Sequence, residues 1–151
     1  MEVKHIEIGS DHAGFALKGA LIAHLKKAGF QVTDEGAYSE ESCDYPDYAR
    51  KVCGKVVSGE GNTLGILVCG TGIGMSITAN KVNGIRAALC HSAFDAEMTR
   101  RHNNANVLCL GARTTEEALA LEIADIFLKT DFEGGRHAGR VAKIMETECR
   151  C

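Results

Sequence analysis

The stretch GILVCGTGIGMS, residues 65–76, decides the fold and supplies the first candidate for chemistry. An apolar run ends at Cys69, and glycines follow at positions 70, 72 and 74. A short run that is apolar on both faces is typical of a buried parallel strand. A glycine-rich turn between such a strand and a helix is a common anion-binding element. The stretch therefore predicts a strand, an anion-binding turn and a helix that begins near Ile73, with a thiol at the turn.

The same alternation of short apolar runs and helical patterns continues along the chain. Predicted strands fall at 3–9, 30–36, 64–69, 85–90 and 106–110. Strands that alternate with helices form a parallel sheet covered on both faces. We therefore predict a single domain over residues 1–151. Its class is α/β, a doubly wound, Rossmann-like three-layer α/β/α sandwich with a five-stranded parallel sheet and a C-terminal helix.

Capping residues predict where several helices begin and end. Gly29 ends the first helix, and Ser92 is a favourable N-cap for the helix that precedes the fifth strand. Thr114 or Thr115 has the same capping role for the next helix.

The carboxyl ends of the predicted parallel strands meet at one edge of the sheet, where ligands bind in such folds.

Composition excludes several classes of function. The 151 residues are 45% hydrophobic and 25% charged with a net charge of −3, so we expect neither nucleic acid nor a membrane as partner. Seven cysteines are scattered without a CxxC pair, so we expect no metal site and no cofactor. Charges interrupt the first apolar segment, unlike in a signal peptide. We expect a cytoplasmic protein with mostly buried, reduced cysteines.

The glycine turn fits none of three familiar motifs. A dinucleotide fingerprint would need its third glycine where Met75 stands, and neither a Walker lysine nor a phosphatase arginine is at its required position. Backbone N–H groups in such a turn bind anions and favour the thiolate form of a cysteine. That combination suits proton abstraction with stabilisation of an oxyanion. The alternative, a buried strand end followed by a tight turn, is equally open.

Other polar residues follow the strand ends or lie near the carboxyl terminus. Asp11 and His12 follow the first strand, either in a site or as a helix cap, and His102 either acts in a site or ends a helix. Arg136 and Arg140 share one face of the last predicted helix, about 135–146. They suit a bound dianion, although a solvated basic face partly balanced by Glu133 is the better reading from spacing alone.

The opposite side of that last helix is apolar. Val141, Ile144 and Met145 recur at helical spacing. We predict that these three side chains form its buried side.

Five separated motifs together resemble the type B ribose-5-phosphate isomerases, a family that includes galactose-6-phosphate and allose-6-phosphate isomerases. The motifs are GSDHAGFALK, DYPDYA, CGTGIGMSITANKVNGIRAALC, RRHNNANVLCLGAR and GGRHAGRVAKI, and the resemblance covers about residues 3 to 147. It implies a metal-free conversion of ribose 5-phosphate to ribulose 5-phosphate through an enediolate. The implied ligand is a small sugar phosphate.

The resemblance also implies residue roles. Cys69 resembles the family's base and Thr71 its hydroxyl-proton shuttle, while His102 resembles the acid that opens the sugar ring, helped by Asp11. The implied oxyanion hole consists of the backbone amides of Gly70, Thr71, Gly72, Ile73 and Gly74. The implied contacts to sugar hydroxyls come from Asp11, His12, Tyr45 and Asn103, and those to phosphate from Arg113, Arg136 and Arg140, joined by His12 or His137.

By resemblance the protein is a homodimer or a tetramer. His102, Asn103 and Arg113 would then complete the neighbouring subunit's site. Asn104 stands where the family commonly has an acidic residue. Cys149 and Cys151 lie outside the matched motifs and receive no role.

Three alternatives stay open at the level of sequence. The substrate could be a six-carbon sugar phosphate, since sequence does not reveal the length of a pocket. The chain could instead be a non-catalytic sugar-phosphate-binding subunit, although it retains Cys69, Thr71 and His102. A redox-responsive thiol protein would require a partner thiol such as Cys90 or Cys109 near Cys69.

Overall fold

The structure, a computed structural model, describes residues 2–3, 5–59 and 61–148. Cys149 and Cys151 lie outside the described residues. The strands are β1 (His5–Ser10), β2 (Gln31–Asp34), β3 (Thr63–Cys69), β4 (Ala87–Leu89) and β5 (Val107–Gly111). The helices are α1 (Phe15–Lys27), α2 (Tyr45–Ser58), α3 (Ile73–Ala79), α4 (Ala93–Asn103), α5 (Glu117–Lys129) and α6 (Arg136–Glu146). Among these described helices, none combines the length and apolar character required to cross a membrane.

The five strands form one parallel sheet in the order β2-β1-β3-β5-β4. Strand β3 is central, with Ile66 opposite Ile8 on one side and Leu108 on the other. The order reverses between β1 and β3, which makes a crevice at the carboxyl edge of the sheet. The predicted five-stranded doubly wound sheet is confirmed.

Successive residues of the central strands enter two different apolar layers. Ile66 and Leu108 face a cluster with Phe127, beneath α1, α4 and α5. Leu67 faces a second cluster with Met75, beneath α2 and α3. Complete burial of each such side chain contributes roughly 1.5–3 kcal/mol. The two layers therefore hold helices on both faces of the sheet, which confirms the three-layer arrangement.

The structure confirms two of the predicted helix boundaries and corrects a third. Gly29 adopts a φ of +97° just after α1, and the Ser92 hydroxyl accepts a hydrogen bond from the Asp95 amide at 3.1 Å. The prediction that Thr114 or Thr115 caps α5 is wrong, because the N-cap is Glu116. The preceding turn folds back on β3, where the Ala112 amide donates to the Cys69 carbonyl at 2.9 Å. This return delays the start of the helix.

Helix α6 packs mainly against α4, and its apolar side is incompletely covered. Ile144 is 45% exposed, while Val141 and Met145 are half-buried. The prediction that these residues form a buried side is therefore wrong within one chain. The sheet already carries a layer on each face, so the described fold has no further surface to cover this side of α6.

A buried charge ties α1 to the segment after β2. Lys18 is 1% exposed, and its ammonium donates to the Asp34 carboxylate at 2.6 Å and to the Ala37 carbonyl. A buried ammonium is tolerated when its charge is paired and its donors are used. The contact anchors the chain ahead of α2, the helix that begins at Tyr45.

Two glycines near α1 offer a matched test of this packing. An added Cβ at Gly14 would lie 2.5 Å from the Val68 carbonyl oxygen, whereas a Cβ at Gly19 would meet nothing within 4 Å. We expect Gly14→Ala to lower the free energy of unfolding by about 1–3 kcal/mol. Gly19→Ala, in the exposed helix interior, should raise it by about 0.5–1 kcal/mol. Urea unfolding followed by circular dichroism measures both, and equal stability of the two variants would contradict the close approach.

Candidate active site

The segments after β1, β3 and β5 converge on a pocket of about 410 Å³ at the carboxyl edge of the sheet. Its lining consists of Asp11, Tyr45, Cys69, Gly70, Thr71, Ile73, Gly74, Ile77 and Arg113. All but Ile77 belong to the candidates that the sequence identified. Ile77 was missed because its only signal, a position one helical turn after Ile73, is common to many surface helices.

The glycine turn directs a donor at the thiol. The Gly72 amide donates to the Cys69 Sγ at 3.2 Å. Gly72 has a φ of +77°, and a Cβ there would lie 2.5 Å from the Leu89 side chain. Only glycine fits both constraints. A backbone N–H aimed at the sulfur stabilises negative charge on it.

A second donor in the same turn is oriented by Thr71. The Ile73 amide donates to the Thr71 Oγ1 at 3.3 Å, at the first residue of α3. The Thr71 side chain is exposed to the pocket opening. The turn therefore carries one N–H aimed at the sulfur and a hydroxyl at the pocket opening.

Asp11 both caps a turn and lines the pocket. Its Oδ1 accepts a hydrogen bond from the Gly14 amide at 3.1 Å, and the residue is buried. The neighbouring His12 accepts at Nδ1 from the Cys43 amide at 3.2 Å. The helix-cap reading of Asp11 is wrong, because the N-cap of α1 is Gly14 without a side-chain cap bond. Asp11 instead closes the turn before α1 and lines the pocket.

Tyr45 and Arg113 each approach a different glycine of the turn. A Cβ at Gly74 would lie 2.5 Å from the Tyr45 ring, and a Cβ at Gly70 would lie 3.1 Å from the Arg113 Nη1. The Arg113 amide also donates to the Gly70 carbonyl at 2.9 Å. The contribution of Arg113 to a neighbouring subunit's site stays a prediction, while Arg113 lines this chain's own pocket. It does so because β5 pairs with β3 in the sheet.

Apart from His12, the remaining candidates lie on α4 and α6, where these two helices meet. The rings of His102 and His137 stack with centroids 4.1 Å apart and planes 10° from parallel. The Glu133 carboxylate lies beside the Nε2 atoms of both rings, at 3.6 and 3.9 Å, and accepts from the Arg101 Nε at 2.8 Å. Among the described residues, five sequence candidates do not line the Cys69 pocket: His12, His102, Asn103, Arg136 and Arg140. Arg101 was missed in the sequence because only the fold brings it to Glu133.

The fold supplies a reason for asparagine at position 104. Asn104 ends α4 with a left-handed φ of +48°. Its carbonyl accepts from the Arg86 Nη2 at 2.7 Å, and its side-chain oxygen accepts from the Arg100 Nη1 at 3.3 Å. Asparagine tolerates this conformation better than most residues with a side chain.

Three of the buried cysteines, Cys53, Cys90 and Cys109, have little tendency to ionise. Burial raises the pKa of the Cys53 and Cys90 thiols to about 12, and it raises that of Cys109 well above the usual value. All five cysteines in the described part of the chain are free. The thiolate is the reactive species, so this environment argues against Cys90 or Cys109 as a redox partner for Cys69.

A parallel α/β sheet with a thiol, a carboxylate and an arginine in the crevice at its carboxyl edge defines a protein that acts on a small anionic molecule. A family model described as Ribose/Galactose Isomerase matches residues 6–144. The chain belongs to this family and is an isomerase. The resemblance seen in the sequence motifs is thereby confirmed.

Named relatives agree with this assignment. Ribose-5-phosphate isomerase B of Escherichia coli is 47% identical over 148 residues, which are 98% of this chain and 99% of that protein. The structure of the Clostridium thermocellum ribose-5-phosphate isomerase B is 54% identical with a TM-score of 0.91, covering 94% of this chain and 95% of that one. A Mycoplasma genitalium ribose-5-phosphate isomerase B, solved with bound ribulose 5-phosphate, is 46% identical with a TM-score of 0.92, covering 97% of both chains.

The environment of His137 makes stability depend on pH. Burial lowers its pKa below 6.5, and the neighbouring positive groups His102, Arg136 and Arg140 lower it further, while Glu133 opposes them. A lowered pKa in the folded state means that the unfolded chain binds the proton more tightly, so stability is lost as the pH falls below the unfolded value.

We therefore expect the free energy of unfolding to fall between about pH 7 and about pH 5, and to fall less in His137→Gln. Urea unfolding at a series of pH values gives the comparison, with His91→Gln as the matched change at an exposed histidine. Parallel pH profiles for wild type and His137→Gln would contradict the assignment to His137.

Proposed function

We propose that this chain interconverts ribose 5-phosphate and ribulose 5-phosphate through an enediolate. The observation that carries the proposal is the Gly72 amide pointing at the Cys69 sulfur inside a pocket that also holds Asp11 and Arg113. The names of the Escherichia coli relative and the ribulose 5-phosphate-bound Mycoplasma structure support this choice of substrate.

Proton transfer between two carbons is assigned to Cys69. The thiolate removes the proton from C2 of the open-chain aldose and returns it to C1, while the electron pair passes through the enediolate. A hydroxyl proton moves from O2 to O1, and we assign its transfer to Thr71. The amides of the segment 70–74 offset the negative charge on the oxygens. General base catalysis of this kind contributes roughly 10²–10⁴-fold.

Ring opening precedes that step and is assigned to His102 with Asp11. His102 donates a proton to the ring oxygen, and Asp11 accepts the proton from the O1 hydroxyl, so that the C1–O4 bond breaks and the aldehyde forms. His12, Tyr45 and Asn103 bind sugar hydroxyls in this scheme. The phosphate is bound by Arg113 together with Arg136 and Arg140, and this remote binding energy positions C1 and C2 against the sulfur.

These assignments require two copies of the chain. His102 and the α6 arginines belong to a group separate from the lining of the Cys69 pocket. The half-covered apolar side of α6 supports an interface beside that group, since exposed apolar surface commonly marks a contact between proteins. In a homodimer, His102, Asn103 and the α6 arginines of one subunit complete the pocket of the other.

Replacement of Cys69 tests the base. We expect Cys69→Ala to reduce turnover by at least about 10²-fold, because loss of a general base typically costs about 10²–10⁴-fold. Proton NMR of ribose 5-phosphate in deuterated water follows ribulose 5-phosphate formation and deuterium at C1. Cys43→Ala is the matched control and should keep the wild-type rate. A near-native rate in Cys69→Ala would remove the thiol from the mechanism.

The same NMR assay distinguishes pentose from hexose substrates. Allose 6-phosphate and galactose 6-phosphate are offered to wild-type protein beside ribose 5-phosphate. Faster conversion of either hexose would replace the proposed substrate but keep the chemistry.

Mixing two inactive variants tests the shared site. In an equal mixture of Cys69→Ala and His102→Asn chains, about half of the dimers are mixed, and each mixed dimer holds one pocket with both native residues. We expect activity of about one quarter of the wild-type rate after subunit exchange. Each variant alone, taken through the same exchange procedure, is the control. A mixture as inactive as its components would place His102 and Cys69 in one chain's site.

A further inference from the structure

Three residues that the sequence separates present metal-ligating atoms to one another. His102 lies in the last turn of α4, Glu133 in the segment before α6, and His137 in the first turn of α6. The His102 Nε2 lies 3.6 Å from the Glu133 Oε2, and the His137 Nε2 lies 3.9 Å from the Glu133 Oε1. One ligand atom of each residue lies within 4.8 Å of the other two.

We propose that His102, Glu133 and His137 form a binding site for a transition-metal dication such as Zn²⁺. In tetrahedral zinc sites, metal–ligand bonds of about 2.0–2.2 Å hold the ligand atoms about 3.3–3.6 Å apart. The three ligand atoms lie within 4.8 Å of one another, and because the two rings stack, metal binding requires the His102 imidazole to turn until its Nε2 points to the same position as the His137 Nε2. His137 is 8% exposed, whereas His102 and Glu133 are about two-fifths exposed, so the adjustment falls mainly to the His102 side chain, since Glu133 is hydrogen-bonded to Arg101.

The ligand set selects the metal. Two imidazole nitrogens with one carboxylate suit zinc, copper, cobalt and nickel, whereas magnesium and calcium prefer oxygen ligands. Three protein ligands leave a fourth position open, as in exchangeable and catalytic zinc sites.

Neighbouring charges set the strength of binding. The Arg101 Nε holds the Glu133 Oε2 at 2.8 Å, which orients the carboxylate and leaves Oε1 for the metal. The binding of a metal dication is also opposed by the positive charges of Arg101, Arg136 and Arg140. The site therefore binds metal reversibly and more weakly than a structural zinc site.

Metal binding would block the ring-opening acid. The nitrogen that coordinates the metal is the His102 Nε2, and its lone pair is then unavailable to carry a proton. This consequence rests on the proposed function of His102, whereas metal binding itself does not. Zinc is therefore a reversible inhibitor of the isomerase that acts at the ring-opening step.

The binding experiment uses Co²⁺ as a spectroscopic substitute for zinc on the full, metal-free chain. We expect one Co²⁺ per chain with visible absorption of tetrahedral intensity, displaced by Zn²⁺. Glu133→Gln and His137→Gln should each weaken binding at least about tenfold. The control is His24→Gln, which alters a histidine–carboxylate pair with Asp125 at 2.9 Å that has no third ligand among the described residues.

Two results would overturn the site. The first is a Co²⁺ affinity that is unchanged in both Glu133→Gln and His137→Gln. The second is a sulfur-to-cobalt charge-transfer band that persists in His137→Gln, because such a band indicates cysteine ligands.

Inhibition is measured separately by the NMR assay. We expect saturating Zn²⁺ to slow the wild type at least about tenfold, with recovery on adding EDTA and a correspondingly higher zinc requirement in Glu133→Gln. Binding without inhibition would overturn the inhibitory role alone. Absence of turnover in the metal-free wild type would instead overturn the proposed function, while the Co²⁺ spectrum would still decide the metal site.

Discussion

Strand β3 pairs in parallel with β1 on one side and β5 on the other, and the site depends on this pairing. Because the three strands end at the same edge, Asp11, Cys69 and Arg113 meet although they are far apart in sequence. An antiparallel neighbour would direct its following segment to the opposite edge. The hydrophobic layers that fix the strand register therefore also fix the distance between the carboxylate, the thiol and the guanidinium.

The glycines in the turn after β3 cannot be replaced without disturbing the site. Gly72 combines a positive φ with close contact to Leu89, and it aims its amide at Cys69. Gly74 leaves room for the Tyr45 ring, and Gly70 leaves room for Arg113. Each glycine thus creates space for a different neighbour of the thiol. Rigid donors of this kind stabilise charge without reorganising during the reaction.

Local patterns were enough to predict the sheet, the glycine turn and the Ser92 cap, because strand burial and capping act over a few residues. Predictions failed where the outcome depended on distant contacts. The return of the chain toward β3 moved the start of α5 away from Thr114, and the completed sheet left Ile144 exposed. Spacing alone likewise could not join His102 to Glu133, which lie on separate elements that only tertiary packing brings together.

The half-covered apolar side of α6 also has a consequence for how the protein behaves at different concentrations. If a second copy covers that side, subunit association and completion of the pocket are a single event. Specific activity then falls on dilution below the dissociation constant of the dimer, and substrate that bridges both subunits slows that loss. The concentration of the protein then regulates its specific activity, although one chain carries every residue needed for the chemistry.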